Sequence, residues 1–224
     1  MEFINKNNRR FFVYILIDIT ALFVVNFYYL KISGIFLYAL LIILISFLIF
    51  LTKNFIASFS QVKVTGTFWI TGFIFSIIAT LVASSFGIPI LIPVISYNKY
   101  SRLNTLKGMK KGAVNMHEKW EITFLSSSLL LFASFIFITL WHISNEKVFL
   151  MSGIVLAMFV LIDFLPERRF NGANLIYHNS IIYTITFIFL LVTGIFSVIS
   201  YIAFLITFII FMAFIFVTYI TKLW

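Results

Sequence analysis

His117 and Glu118 are the first residues that suggest metal chemistry, in the sequence NMHEKWE. A zinc-protease helix of the form H-E-x-x-H directs two imidazoles from one helical face onto the ion, and its glutamate acts as the general base. Glu121 stands where the second histidine is needed. His142 and Glu146 also have helical spacing, but they lie beside a charged boundary and are interpreted as a solvated helix end. Neither pair predicts a metal site, and no cofactor is expected.

Carboxyl groups within apolar segments form a second kind of candidate, because a charge in hydrocarbon is costly without a partner. Asp18 lies inside the first apolar run, and Asp163 lies near the end of the fifth. Such carboxyls would serve a proton or cation path, which would make the chain a small transporter or a channel subunit. They would instead be structural if each bonds to a neighbouring helix.

The segments that carry these residues are strongly apolar. Of the 224 residues, 62% are hydrophobic and 10% are charged, and the mean hydropathy is +1.13. These values are typical of a multi-pass protein of the cell membrane. Cysteine is absent, which excludes disulfides and thiolate sites. The net charge of +9 lies in loops and tails, where it suits membrane lipid, and no nucleic acid partner is expected.

Each apolar run is expected to be an α-helix, because a segment in hydrocarbon must satisfy its own backbone groups. The predicted fold class is therefore an all-α polytopic integral membrane protein with six or seven transmembrane helices. The last run is about twice the ~20 residues that cross a bilayer, so a break is predicted near Ser200 and Tyr201. The predicted spans are Phe11–Leu30, Ile35–Leu51, Thr67–Phe86, Ile122–Trp141, Val148–Leu165 and Ile181–Ile220.

The connection after the third span contains Pro89 and Pro93, which prevent a regular helix, among residues that favour extended structure. It predicts a short strand pair or a re-entrant segment, and the alternative is a plain basic loop. For seven spans, the positive-inside rule favours an external amino terminus. That arrangement places these basic residues in the cytoplasm: Lys31, Lys99, Arg102, Lys107, Lys110, Lys111, Lys119, Arg168, Arg169 and Lys222. The cluster of Lys6, Arg9 and Arg10 favours the opposite orientation.

A polar segment, LIDFLPERRFNGANLIYHN, separates two apolar runs at residues 161–179. Its residues Asp163, Pro166, Asn171 and Gly172 have the spacing of the motif N-x-x-P-x-x-x-x-D-G. The segment therefore resembles the site-2 protease family of intramembrane zinc metalloproteases, in its archaeal-type branch. The alternative is ordinary turn chemistry, for which proline and Asn-Gly are commonly used.

Two upstream segments extend the resemblance. FSIIATLVASSFG is similar to the family's metal-binding helix, H-E-L-A-H-K-x-V-A-x-x-Y-G, and WEITFLSSSLLL stands where the family has G-x-I-x-x-A-G-P. The three segments follow the family's order and cover roughly residues 67–182. This comparison divides the single membrane domain, 1–224, into a two-helix segment at 11–66, a site-2-protease-like core at 67–182, and a helix or helix pair at 183–224.

The departures from the family's motifs concern the metal ligands. Phe75, Ser76 and Ala79 stand at the positions of the first histidine, the glutamate and the second histidine, and the metal-binding aspartate is replaced by Asn171. Because a hydrolytic zinc site needs about three protein ligands and a base, the resemblance implies a relative without catalytic activity.

Such a relative would keep a groove for a transmembrane helix of a partner protein, or for a lipid. The expected binding residues are Gly87, Pro89, Asp163 and Asn171. An active intramembrane metalloprotease is the least favoured interpretation, since none of the H-E-x-x-H residues is present.

Overall fold

The computed structural model describes Arg10, Val24, Ile176 and residues 12–21, 35–67, 70–85, 97–102, 114–165 and 179–221. This part of the chain is almost entirely helical, as predicted. Its helices are α1 (Phe12–Ala21), α2 (Ile35–Phe59), α3 (Ile70–Ser85), α4 (Met116–Ser144), α5 (Lys147–Asp163), α6 (Ser180–Ile199) and α7 (Tyr201–Thr221). Two strands, β1 (Val62–Thr67) and β2 (Tyr97–Arg102), complete the fold.

The predicted break in the last apolar run is confirmed. Helix α6 ends at Ile199 and α7 begins at Tyr201, so that Ser200 lies between them. The Ser200 carbonyl accepts a hydrogen bond from the Phe204 N–H at 2.9 Å, which starts the new helix. The long apolar run therefore folds as a helix pair.

The predicted end of the second span at Leu51 is wrong, because α2 continues to Phe59. The polar residues after Leu51 make their hydrogen bonds within the helix. The Thr52 hydroxyl donates to the Leu48 carbonyl at 2.8 Å, and the Asn54 amide donates to the Phe50 carbonyl at 2.9 Å. Polar side chains that bond to the preceding turn do not end a helix.

Three helical segments of the described chain are long and apolar enough to cross a membrane: Ala39–Phe59, His117–Ser144 and Tyr201–Thr218. Phe12–Ala21, Ile70–Val82 and Ser180–Thr193 are shorter apolar helices. The three longer segments have the length and composition of helices that cross a membrane. Six or seven complete crossings, as predicted from the sequence, are not supported by helix length.

The two strands form an antiparallel sheet whose register runs from Val62 opposite Arg102 to Thr67 opposite Tyr97. The prediction of a strand pair after the third span is thus only partly correct, because β1 precedes α3. Val62 and Val64 are fully buried, as expected for alternate residues on the inner face of a strand. This alternation is the reason that the VKVTGT segment is a strand rather than the loop into which the predicted spans had placed it.

Helices α4 and α5 form a close antiparallel pair. Their turn contains Asn145 in the left-handed conformation at φ 59°, and its N–H donates to the Trp141 carbonyl at 2.7 Å. Further along, the Ser134 hydroxyl donates to the carbonyl of Gly153 at 2.7 Å. A Cβ on that glycine would lie 2.6 Å from the Ile138 side chain. Glycine thus permits the close approach of these two helices.

One end of the bundle, called the sheet end below, gathers the two strands, the end of α2, the start of α4, the end of α5 and the start of α6. Tyr100 of β2 shares a hydrogen bond with the hydroxyl of Thr123 in α4 at 3.2 Å. Tyr183 of α6 donates to the carbonyl of Phe164, just after α5, at 2.9 Å. These contacts join segments that are distant in sequence.

Two contacts between aromatic rings show at which end of the bundle α1 and α7 begin. Phe12, at the start of α1, packs edge-on against Phe50 of α2 with ring centroids 5.7 Å apart, which brings the start of α1 towards the sheet end. At the opposite end, His142 of α4 lies 4.3 Å from the ring of Tyr201, at the start of α7. Between the two ends, Phe135 of α4 stacks on Phe208 of α7 at 4.4 Å.

Candidate functional site

A buried ion pair joins α2 to α5 near the sheet end. The Lys53 ammonium lies 2.9 Å from Oδ2 of Asp163, and the two side chains are only 2% and 5% exposed. The same ammonium lies 4.7 Å from the ring centroid of Phe159, one turn before Asp163. The lysine charge is therefore balanced by a carboxylate on one side and favoured by an aromatic face on another.

The position of Asp163 explains why it needs a cation. It is the last residue of α5, where the carbonyl ends of the helix disfavour a negative charge. Lys53 supplies the compensating charge from α2. Nearby, the Tyr183 hydroxyl satisfies the Phe164 carbonyl, one of the acceptors left without an intrahelical partner where α5 ends. Together these bonds fix the end of α5 between α2 and α6.

Asp163 was named as a candidate from the sequence, but its partner Lys53 was not. Lys53 lies just beyond Leu51, where the second predicted span ends. The spacing of apolar residues around Lys53 nevertheless indicates that this lysine is buried. Ile45, Ile49, Lys53 and Ile56 follow one another at helical spacing, and all four are buried. A lysine in such an apolar stripe points to a buried acidic partner.

Asp18 lies in a different environment. It is 2% exposed, and neither of its carboxyl oxygens has a hydrogen-bond partner within the part of the chain that the structure describes. Its neighbours along α1 include the fully buried Ile15 and Ile19. The two intramembrane carboxyls of the sequence prediction are thus unlike each other, because Asp163 is paired and Asp18 has no hydrogen-bond partner among the described residues. No hydrogen bond joins them.

The residues at the positions of the H-E-x-x-H motif do not converge. Phe75 is 61% exposed, Ser76 is fully buried and Ala79 is half-buried on α3. None of these side chains is suited to binding zinc or to acting as a general base. The other positions taken from the family resemblance, Pro166, Asn171, Gly172, Gly87 and Pro89, lie outside the described residues.

The His-Glu pairs considered from the sequence both lie at helix ends. Glu118 accepts a hydrogen bond from the Asn115 N–H at 3.0 Å, so its carboxylate satisfies a donor at the start of α4. His142 is exposed in the last turn of α4, which confirms the prediction of a solvated helix end. Over the described ranges, no group of three or more histidine, aspartate or glutamate side chains could hold a metal ion.

Comparison with known proteins gave no assignment: no family model, no curated protein and no solved structure matches this chain. The chemistry of the donor set therefore has to be judged from the chain's own residues. Asp163, which stands at the position of the motif's leading asparagine, bonds to a lysine, and α3 offers no ligand at the histidine positions. These residues do not fit a catalytic zinc site.

Proposed function

We propose that this chain is a multi-pass membrane protein without catalytic activity that binds a membrane component at its sheet end. The component would be a transmembrane helix of a partner protein, a partner protein or a lipid. The observation that carries the proposal is the Lys53–Asp163 ion pair. The carboxylate of Asp163, which stands at the position of the motif's leading asparagine, holds two helices together, which suits a scaffold rather than a hydrolase. On this proposal the site-2-protease-like core, residues 67–182, is a relative that has lost its metal ligands.

The strand pairing favours a topology in which the chain between β1 and β2 does not cross the membrane. Thr67 and Tyr97 are direct partners in the sheet, so the chain between them must return to the end from which it leaves. Helix α3 has 16 residues and is therefore about 24 Å long, less than the ~30 Å of a hydrocarbon core. We infer that α3 is a re-entrant helix, whereas the sequence prediction treated it as a span.

This topology changes the charge count used for orientation. The earlier arrangement, in which the third span crosses, separates Lys63 from Lys99, but these residues lie in paired strands. Of the seven lysines and arginines that the structure describes, five lie at the sheet end, Lys53 is buried in the ion pair and Lys147 lies at the opposite end; the five are Arg10, Lys63, Lys99, Arg102 and Lys119. The positive-inside rule then favours a cytoplasmic sheet end.

Site-specific photocrosslinking tests the proposed binding. The chain has no cysteine, so a single cysteine carrying a benzophenone can be introduced at Ser101, which is exposed on β2, and as a control at Ser144, which is exposed at the opposite end. We expect Ser101→Cys to form adducts with a discrete protein or lipid in native membranes, identified by mass spectrometry. Equal adducts from the Ser144→Cys control, or no adduct from Ser101→Cys, would contradict the proposal.

A second function, in which Asp18 and Asp163 serve a proton or cation path, is favoured by one observation. Asp18 is a buried carboxyl without a hydrogen-bond partner in the described chain, and intramembrane carboxyls of this kind are common in proton relays. Proton and cation flux in proteoliposomes tests it. A transporter predicts flux that Asp18→Asn abolishes. Flux equal to that of protein-free vesicles would exclude this function.

A further inference from the structure

The basic residues of the described chain are concentrated at the sheet end. Lys53 is paired inside the bundle, and Lys147 lies at the opposite end, where α5 begins. The others form a set that we call the basic rim: Arg10, Lys63, Lys99, Arg102 and Lys119. Arg10 precedes the start of α1, Lys119 lies in the first turn of α4, and the other three belong to the strands.

The sheet register places two of the rim lysines at the same alternation position. Val62 and Val64 are buried against the bundle, so Lys63, between them, belongs to the outer face. Its direct partner Ser101 is exposed, and Lys99 pairs with Thr65, two positions further along β1. In the register of the sheet, Lys99 is therefore at the same alternation position as Ser101, the direct partner of Lys63. Neither strand contains an acidic residue, so the sheet carries uncompensated positive charge.

The acidic residues near the rim do not cancel its charge. Asp163 is neutralised by Lys53, and Glu118 accepts a hydrogen bond from the start of α4. Glu121 is half-buried one turn further along that helix. Among the described residues of the sheet end, the five rim residues thus outnumber the two carboxylates that are not paired with Lys53, Glu118 and Glu121.

The basic rim lies at the depth in the membrane at which lipid headgroups are expected. The sheet lies beside the end of α2 and the start of α4, and the apolar segments of both helices are long enough to cross a bilayer. Tyr100 of β2, which is half-buried and shares a hydrogen bond with Thr123 of α4, lies at the same end. Aromatic residues of this kind are enriched at the boundary between hydrocarbon and headgroups.

We infer that the basic rim binds the phosphate-bearing headgroups of acidic phospholipids in the leaflet that faces the sheet. This inference rests on the proposed function, because it specifies the lipid among the membrane components that the sheet end would bind. Charge complementarity selects the ligand: a concentration of lysine and arginine at headgroup depth attracts anionic lipid, and each basic residue contributes up to about fivefold in association at low salt.

Spin-labelled lipids provide the test, on the full chain reconstituted in phosphatidylcholine bilayers. The relative association of labelled phosphatidylglycerol and labelled phosphatidylcholine is measured by electron paramagnetic resonance. The rim variant carries Lys63→Gln, Lys99→Gln and Lys119→Gln, and the matched control carries Lys147→Gln, at the opposite end. We expect wild type and control to prefer phosphatidylglycerol, the preference to fall with added salt, and the rim variant to lose most of it.

The outcomes separate the inference from the proposed function. Equal association of the two lipids with wild type would overturn the inference, and so would equal losses in the rim and control variants. If the rim variant does not fold, the wild-type preference and its loss in salt still decide whether acidic lipid is bound, and Lys63→Gln alone then tests the location. A crosslinked protein partner at Ser101 without any acidic-lipid preference would support the proposed function while refuting this inference.

Discussion

Removing either member of the Lys53–Asp163 pair should destabilise the protein far more than removing both. Both side chains are almost fully buried and lie 2.9 Å apart. Loss of one partner leaves an uncompensated charge in the bundle, at a cost of about 3–5 kcal/mol, whereas replacement of both by apolar residues is often close to neutral. We therefore expect Lys53→Met and Asp163→Leu each to lower the free energy of unfolding by about this amount.

The double variant Lys53→Met/Asp163→Leu should recover most of the loss, with a coupling energy of about 2 kcal/mol or more between the two positions. The free energy of unfolding is measured by circular dichroism while sodium dodecyl sulfate is titrated into protein in mild detergent. Lys63→Met, at a half-buried lysine on the outer face of the sheet, is the matched control and should change stability by no more than ~0.5 kcal/mol. Additive effects of the two single substitutions would refute the energetic role assigned to the pair.

Three further predictions use the same unfolding titration. Asp18→Leu should stabilise the protein by about 1–3 kcal/mol, because it removes a buried carboxyl without a hydrogen-bond partner in the described chain; a loss of stability would show that the carboxyl has a structural partner. Gly153→Ala should destabilise it by about 1–3 kcal/mol through the clash with Ile138, whereas Ser152→Ala, at the adjacent buried residue, serves as the control. Tyr183→Phe should cost about 1–3 kcal/mol, because the buried Phe164 carbonyl loses its donor; an unchanged midpoint would contradict that assignment.

Sequence reasoning was most successful where the determining information is local. The apolar runs predict helices because backbone groups in hydrocarbon have few alternatives, and the excessive length of the last run predicts the break at Ser200. The end of α2 was missed because Thr52 and Asn54 bond back to their own helix. Composition alone does not distinguish such residues from those of a loop.

The strand pair and the ion pair depend on contacts between distant residues. Strand β1 pairs with β2 across α3, so the partner of the VKVTGT segment is not evident from its neighbours in the sequence. Lys53 and Asp163 are likewise brought together only by the packing of α2 against α5. The sequence identified Asp163 as an unusual carboxyl, but the cation that explains it lay 110 positions away.

The re-entrant placement of α3 is tested most directly by the membrane side of the two strands. Single cysteines at Lys63, Ser101 and Asn145 are introduced into this cysteine-free chain and labelled with a membrane-impermeant maleimide in sealed vesicles of known orientation. Lys63→Cys and Ser101→Cys should be labelled from the same side, the cytoplasmic one, and Asn145→Cys from the other. Labelling of residues 63 and 101 from opposite sides would show that the chain between the strands crosses the membrane, which would contradict both the paired sheet and the topology built on it.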